Sequence, residues 1–408
     1  MKQGKKTSKN KQQKAKLLKL TSIVLVLMLA IFIAIGIGGH SNQEETDFVS
    51  SRIEEENTVV EEKKSTTIHL MAIGDAMCHS QNFKDAYQAS TNTYDFSHVF
   101  TNIRERIASA DIAIGNLETT FAGEAKGYSG FPTFNTPDAL GVALKDMGVD
   151  VLSTANNHSL DKGYNGIVRT LDVLDEIGIS HMGTYRSTEE QNKILIKEAN
   201  GITFAFLSFT YGINGIPVPK GKEYCINLID EALMKQQIDQ AKEENVDVIC
   251  VSMHWGDEYK IKQNKTQENL ADFLFENGVD IILGSHPHVL EPMEKRTITL
   301  PDGTTKDGFV IYSLGNFISG QKQENTRNTI LLDLQITKNP EGKISIDKVE
   351  YTPLYVYDKG AGKPQRYKIL DIRQTIANYE NGTDTSIGAT TYKNLKTELS
   401  KIESIMGN

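Results

Sequence analysis

Val279-Asp280-Ile281-Ile282-Leu283-Gly284-Ser285-His286-Pro287-His288 is an apolar run that breaks at a glycine and then presents two histidines two positions apart. The run is short and rich in branched aliphatics, so it reads as a buried strand. In an extended backbone, residues i and i+2 share a face, which would aim His286 and His288 at one small object. A metal ion is the object such a pair would hold.

The same grammar recurs along the chain from residue 66. An amphipathic helical segment ends at a turn, an apolar strand follows, and the strand ends in polar residues. Residues 103–110 lead into 111–114, which end in Gly115-Asn116-Leu117-Glu118. Residues 138–147 lead through Gly148 into 149–152 and then Asn156-Asn157-His158. A helix expected around 230–244 leads into 246–252 and His254-Trp255-Gly256, and one around 267–277 leads into 279–283 and the histidine pair. Residues 66–73, ending in Gly74-Asp75-Ala76-Met77, add a fifth case. Strands alternating with helices argue for βαβ units, whose ligand sites lie at the carboxyl ends of the strands. Beyond residue 297 the pattern changes to hairpins, at 297–312 and again around Asn339-Pro340-Glu341-Gly342. The two strand types together predict a mixed layered α/β sandwich.

The strand ends gather Asp75, Asn116, Glu118, Asn157, His158, His254, His286 and His288. Taken singly, Asp75 fits a turn or helix cap, Asn157 a left-handed turn, and His254 a core histidine beside Trp255. Their common position is what points to a cation. The donor set of carboxylate, amide and imidazole suits one or two divalent ions, Mn, Zn, Fe or Mg, rather than a thiolate-loving metal. Two ions held close together would activate water and neutralise charge on a phosphoryl or carbonyl group. His79, just past Cys78, is a further candidate to line the pocket, whereas His40, His69, His98 and His181 have no such setting.

The first residues have a different character. Residues 1–19 carry eight lysines and no acid, and 20–39 are uncharged and apolar. Twenty helical residues span roughly 30 Å, the hydrocarbon thickness of a bilayer. That core exceeds the ~7–15 residues of a cleavable signal, and Gly36-Ile37-Gly38-Gly39 is a poor cleavage site, so a retained anchor is expected. The lysine block keeps the N-terminus cytoplasmic and places everything after Gly39 outside, as a single-pass cell-membrane protein. Residues 40–65 read as a flexible, acidic stalk. Residues 66–360 form the expected main domain, and 361–408, with helical spacing at 368–380 and 392–405, a helical C-terminal tail. The formal net charge is −9, of which the basic tail contributes +8, so the exported part is near −17 and a poor nucleic-acid binder. Three cysteines without a CxxC pair allow one disulfide at most, which excludes a disulfide scaffold.

Six segments occur in order: Gly74-Asp75-Ala76-Met77, Gly115-Asn116-Leu117-Glu118, Ala155-Asn156-Asn157-His158-Ser159-Leu160-Asp161-Lys162-Gly163, His254-Trp255-Gly256-Asp257-Glu258-Tyr259, Gly284-Ser285-His286-Pro287-His288-Val289 and Tyr312-Ser313-Leu314-Gly315-Asn316-Phe317. Over about residues 66–320 they resemble the CapA family of bacterial capsule and poly-γ-glutamate synthesis proteins. That family is similar to calcineurin-like metallophosphoesterases. The resemblance implies a four-layer α/β/β/α sandwich preceded by one transmembrane helix. It implies metal ligation by Asp75, Asn157, His254, His286 and His288, with Asn116 or Glu118 beside them. It also implies that His158 contacts substrate and protonates a leaving oxygen, with Asp161 orienting it. Two positions depart from the metallophosphoesterase pattern: Met77 stands where a histidine is expected and Asn116 where a bridging aspartate is expected. The function implied is assembly, export or processing of an anionic envelope polymer such as poly-γ-glutamate, alongside a membrane synthase complex. Two versions follow, a metal-dependent hydrolase acting on a phosphoester or on a polymer amide or ester, and a non-catalytic metal-containing assembly factor that binds the polymer.

Overall fold

The computed structural model describes residues 64–300, 303–383 and 386–407. The basic tail, the expected span at 20–39 and nearly all of the stalk lie outside these residues. Among the described residues no helix is long and apolar enough to cross a membrane.

The centre of the fold is β1 (Thr66–Ala76), whose alternation divides its side chains between two cores. Ile68, Leu70 and Ala72 face a second sheet, while Met71 and Ile73 face helices. A strand buried on both faces has no solvent side, which is why it reads as a continuous apolar run. Each large aliphatic so buried contributes roughly 1.5–3 kcal/mol.

On one flank of β1 lie the parallel strands β4 (Ile112–Leu117), β5 (Val151–Ser153) and β6 (Ser180–Met182). On the other lie the antiparallel β14 (Asn328–Lys338), β15 (Ile344–Asp358) and β16 (Tyr367–Asp371). The short β13 (Asn316–Ile318) pairs with the end of β1 and completes this eight-stranded sheet. The second sheet has six strands. Parallel β8 (Ile202–Thr210), β9 (Val248–His254), β10 (Ile281–Ser285) and β12 (Thr305–Leu314) are edged by antiparallel β7 (Leu195–Ala199) and β11 (Leu290–Thr299). A separate two-stranded ribbon pairs β2 (Tyr87–Gln88) with β3 (Thr93–Tyr94).

The inner faces of the two sheets share one apolar cluster, in which Ile68, Leu70 and Ile114 join Phe204, Phe206, Val248, Ile281 and Ile311. Leu140, Leu144, Val173 and Leu174, from helices Ala139–Asp146 and Gly163–Ile177, cover the outer face of the first sheet. Met234, Ile238, Leu274 and Phe275, from helices Glu231–Glu243 and Lys265–Glu276, cover the second. The architecture is a mixed α/β sandwich. Cys78, Cys225 and Cys250 are buried and unpaired.

The C-terminal segment differs from the helical tail expected over 361–408. Tyr367–Asp371 is a strand paired to β15, and the helix starts only at Ile372, with the Asp371 side chain accepting from the Gln374 backbone N–H at 2.9 Å. The cap explains the boundary, because a side-chain acceptor satisfies the first free amides of the new helix. The final helix, Ala389–Met406, buries Leu395, Ile402 and Met406 in the inter-sheet cluster, so the segment is part of the sandwich.

Gly74 sets how closely β1 can approach the turn after β12. A Cβ there would lie 1.9 Å from the Gly315 carbonyl oxygen. Relief would require backbone to move on both sides, including the Asp75 N–H to Gly315 O bond of 2.9 Å. Gly74→Ala is therefore expected to cost roughly 3 kcal/mol. Urea unfolding checks this, and a loss under about 1 kcal/mol would show that the turn yields.

Candidate metal centre

The strand ends of both sheets meet at one edge of the sandwich. Asp75 pairs in register with Asn116 on β4 and with Asn316 on β13, and His254 at the end of β9 pairs with Ser285 on β10. Asn157 and His158 follow β5, and His286 and His288 follow β10. The structure thus brings Asp75, Asn116, Glu118, Asn157, His158, His254, His286 and His288 to this edge, each of them buried, with Asp161 and His79 half-buried.

The histidine pair arrives there by a route other than strand alternation. The strand stops at Ser285, and His286 and His288 have φ of +98° and +60°. Non-glycine residues seldom adopt positive φ, and such strain marks sites where the surroundings over-determine the backbone. A turn, rather than an extended segment, brings the two rings to 5.7 Å between centroids.

Three overlapping sets of donors lie in the pocket, each with ligand atoms within 4.8 Å of one another: Asp75, Glu118 and His288; Glu118, His254 and His286; and Glu258, His286 and His288. Glu118 belongs to two of them. Its Oε1 lies 3.7 Å from His254 Nε2 and 3.8 Å from His288 Nε2. Both of its oxygens lack a hydrogen-bond partner, as does His286 Nδ1. Buried polar atoms are normally paired, so three orphans in one pocket fit a cation as their missing partner. Burial, with the Asp75 charge next in weight, holds the Glu118 carboxyl well above its ordinary range. Burial, reinforced by the neighbouring imidazoles, pushes His254 well down and His286 to about 3. Those two rings stay neutral, the form that donates a lone pair to a metal.

The surrounding contacts orient these donors. Asn316 Oδ1 lies 3.1 Å from His288 Nδ1, which directs Nε2 of that ring toward Glu118. Ser285 Oγ lies 2.8 Å from His254 Nδ1, and Asn157 Oδ1 lies 3.0 Å from His254 Nε2. The Asn116 amide donates to Asp75 Oδ1 at 2.8 Å, and its oxygen accepts from Asn156 Nδ2 at 3.3 Å. In this arrangement Asn116 braces Asp75, and Glu118 offers the free carboxylate.

His158 stands apart from the donor sets. Its Nδ1 is 2.8 Å from Asp161 Oδ2, which also accepts the Phe134 backbone N–H at 2.6 Å, and the Phe134 ring meets the imidazole edge-on at 4.7 Å. His79 lies near this ring, its own ring 5.1 Å from Phe134 and its Nδ1 accepting from the Gly320 N–H at 3.1 Å.

Several residues were absent from the sequence-based set. Glu258 and Asn316 sit inside the ordered segments quoted above but carry no strand-end signature of their own. Tyr211, at the end of β8, packs 4.5 Å from His286, and burial together with Glu118 and Glu258 pushes its phenol up to about 12. It therefore remains a hydrogen-bond donor at neutral pH. Asn214, in the loop after it, accepts from the Asn157 amide at 3.2 Å.

Behind the pocket, Glu291 on β11 is fully buried, with Oε2 accepting from Gln267 Nε2 at 2.7 Å and Oε1 unpartnered. Burial pushes it from 4.5 to about 8. The folded protein then keeps a proton that the unfolded chain releases, so stability is full below about pH 4.5 and falls as pH rises toward 8. Glu291→Gln, which mimics the protonated form, is expected to flatten that slope and to stabilise the protein at pH 8.5 by roughly 2–4 kcal/mol. Urea midpoints for both proteins at pH 5 and pH 8.5 test it, and parallel slopes would exclude Glu291 as the cause.

The fold and pocket together define a layered α/β sandwich that carries a candidate cation site of carboxylates and imidazoles at its converging strand ends. The chain matches the family model for bacterial capsule synthesis protein PGA_cap over residues 69–321, more than half its length, and belongs to that family. It is 29% identical over 313 residues to capsule biosynthesis protein CapA of Bacillus anthracis, covering 75% of this chain and 71% of that one. It is 34% identical over 209 residues to PGA biosynthesis protein CapA of Bacillus subtilis, covering 51% of this chain and 52% of that one, so the match spans about half of that relative. Among solved structures, the NAD nucleotidase NadN of Haemophilus influenzae aligns at 12% identity and a TM-score of 0.42, covering 84% of this chain and 61% of that one.

Proposed function

We propose that this protein acts on an anionic envelope polymer such as poly-γ-glutamate, in its assembly, export or processing, through a site for one or two divalent cations. The observation that carries the reading is Glu118, a fully buried carboxyl with both oxygens unpartnered between His254 and His288. Family membership supports the process. The lysine-rich residues 1–19 followed by the apolar residues 20–39 support an anchor with a cytoplasmic N-terminus and an external main domain.

Asp75, Glu118 and His288 would hold one cation, and Glu118, His254 and His286 a second. A divalent ion there supplies Lewis acidity and positive charge against a phosphoryl or carboxyl group. Tyr211 offers a phenolic donor at the pocket wall. Asp161 pins His158 at Nδ1 and leaves Nε2 as the nitrogen available to protonate a leaving oxygen. This pairing favours a hydrolase of phosphoester, amide or ester bonds over a holder of polymer alone.

Metal analysis of the full chain and of His286→Ala, with phosphodiesterase and polymer-cleavage assays on both, tests the reading. Stoichiometric metal and turnover lost together in the variant support a hydrolase. Metal in the wild type without turnover leaves a polymer-holding role, and absence of metal from both sinks the site.

A further inference from the structure

We propose that the groove beside the metal centre, between loops 256–264 and 319–328 and the helix Ala389–Met406, is a track for several consecutive units of a carboxylate-bearing chain, a path that rests on the polymer reading above. The groove is tied to the centre through hydrogen bonds. His288 contacts Asn316, whose Nδ2 donates to Gln321 Oε1 at 2.8 Å. The Gln321 and Gln323 amides donate to the Tyr259 hydroxyl at 3.5 and 3.4 Å, and the Tyr259 ring lies 6.2 Å from that of His288. The two loops therefore meet at the mouth of the pocket, with Tyr259 at the boundary.

Beyond Tyr259 the surface opens into a groove of about 690 Å³, whose floor is formed by Thr397, Ser400 and Ser404 of the last helix, with Ile261 and Ile405 on its walls. Those hydroxyl residues recur three and four positions apart, so they lie on one helix face. A smaller cleft of about 230 Å³, lined in part by Lys322 and Arg327, adjoins it through residues common to both. Pockets of roughly 300–1,000 Å³ take ligands of drug size, which is several monomer units rather than one.

The chemistry around the groove is cationic in a protein that is acidic overall. Lys260, Lys262 and Lys322 are exposed and form no ion pair among the described residues. Lys396 lines the groove from the helix and is held loosely, by Glu380 at 3.6 Å and the Tyr392 hydroxyl at 3.4 Å. The acids lining the two cavities, Glu324 and Glu398, are both engaged by Lys401, at 3.5 and 3.2 Å, and Asp257 and Glu258 lie on the bounding loop, Asp257 accepting from Asn264 Nδ2 at 2.8 Å. Lysines without partners raise the local concentration of an anionic chain. Thr397 and Ser400 donate to the Lys393 and Lys396 carbonyls of their own helix, which leaves their oxygens to accept from backbone amide N–H groups, and the exposed Ile261 can cover methylene stretches between charges. A chain with repeated carboxylates and short aliphatic spacers matches all three features. The C-terminal helix thereby acquires a role in ligand binding as well as in the core.

The test compares the full chain in detergent with Lys262→Ala/Lys322→Ala/Lys396→Ala, using fluorescence anisotropy with a labelled γ-linked glutamate decamer and a γ-linked dimer in the presence of Mn²⁺. Decamer affinity is expected to fall about tenfold in the variant, with a shallower salt dependence, because three exposed charge contacts each contribute modestly. Dimer binding and the thermal unfolding midpoint are expected to be unchanged. Equal decamer affinity in the two proteins overturns the track while leaving the polymer reading intact. A wild type that does not bind the decamer removes the polymer reading, and the track with it.

Discussion

Replacing Glu118 by glutamine is expected to abolish the response to cations and to leave the cation-free protein at least as stable as the wild type. The side chain is fully buried, neither oxygen has a partner, and burial beside Asp75 opposes ionisation. Such a group costs about 1–3 kcal/mol when no partner is present. Glutamine keeps the shape and cannot ionise, so it removes the penalty of a charge beside Asp75, and it forfeits the carboxylate shared by the two donor sets. Added Mn²⁺ or Zn²⁺ at one hundred times its dissociation constant is expected to stabilise the wild type by ~2.7 kcal/mol. The variant gains little, and the order of stability reverses between chelator and metal. Thermal unfolding with and without chelator, together with metal content, measures both halves. A cation-dependent shift that persists in Glu118→Gln would remove Glu118 from the centre.

The strands that carry this centre were legible because they are buried on both faces. Residues 246–252 and 279–283 read as apolar runs, yet β9 and β10 each continue to the polar residues His254 and Ser285, which pair with each other in the ladder. Hydrophobicity marks where a strand is buried, and pairing continues past that point. The turn at His286 and His288 was hidden for a related reason. Two residues at positive φ have no sequence signature when neither is glycine, and only the packed surroundings hold them there. Glu258 and Asn316 were visible as letters in ordered segments, but their roles depend on how loops fold back across the two sheets. At β16 the failure was one of period. Over five residues, the alternation of a strand and the spacing of a helix are hard to separate, and helical spacing continued smoothly into Ile372–Glu380. Asp371 marks the true boundary, since a side chain that caps the new helix also ends the strand.

On the hydrolase reading proposed above, His158→Ala is expected to lower turnover of an alkyl phosphodiester by roughly 10²–10⁴, the range of a positioned proton donor, with metal content unchanged. His158 belongs to none of the three donor sets, so its loss leaves Asp75, Glu118, His254, His286 and His288 in place. The imidazole is held from two sides, by Asp161 at 2.8 Å and by the edge of Phe134 at 4.7 Å. A carboxylate at Nδ1 fixes the ring's orientation and which nitrogen faces outward, so Asp161→Asn is expected to reproduce most of the loss. The choice of leaving group separates a chemical role from a structural one. An aryl oxide departs without protonation, whereas an alkoxide needs a proton, which in the proposed reaction comes from His158. The variants should therefore lose far less on an aryl ester than on the alkyl ester at the same pH. Equal losses on the two esters would assign His158 to holding the pocket walls, and wild-type rates on the alkyl ester would take it out of the reaction.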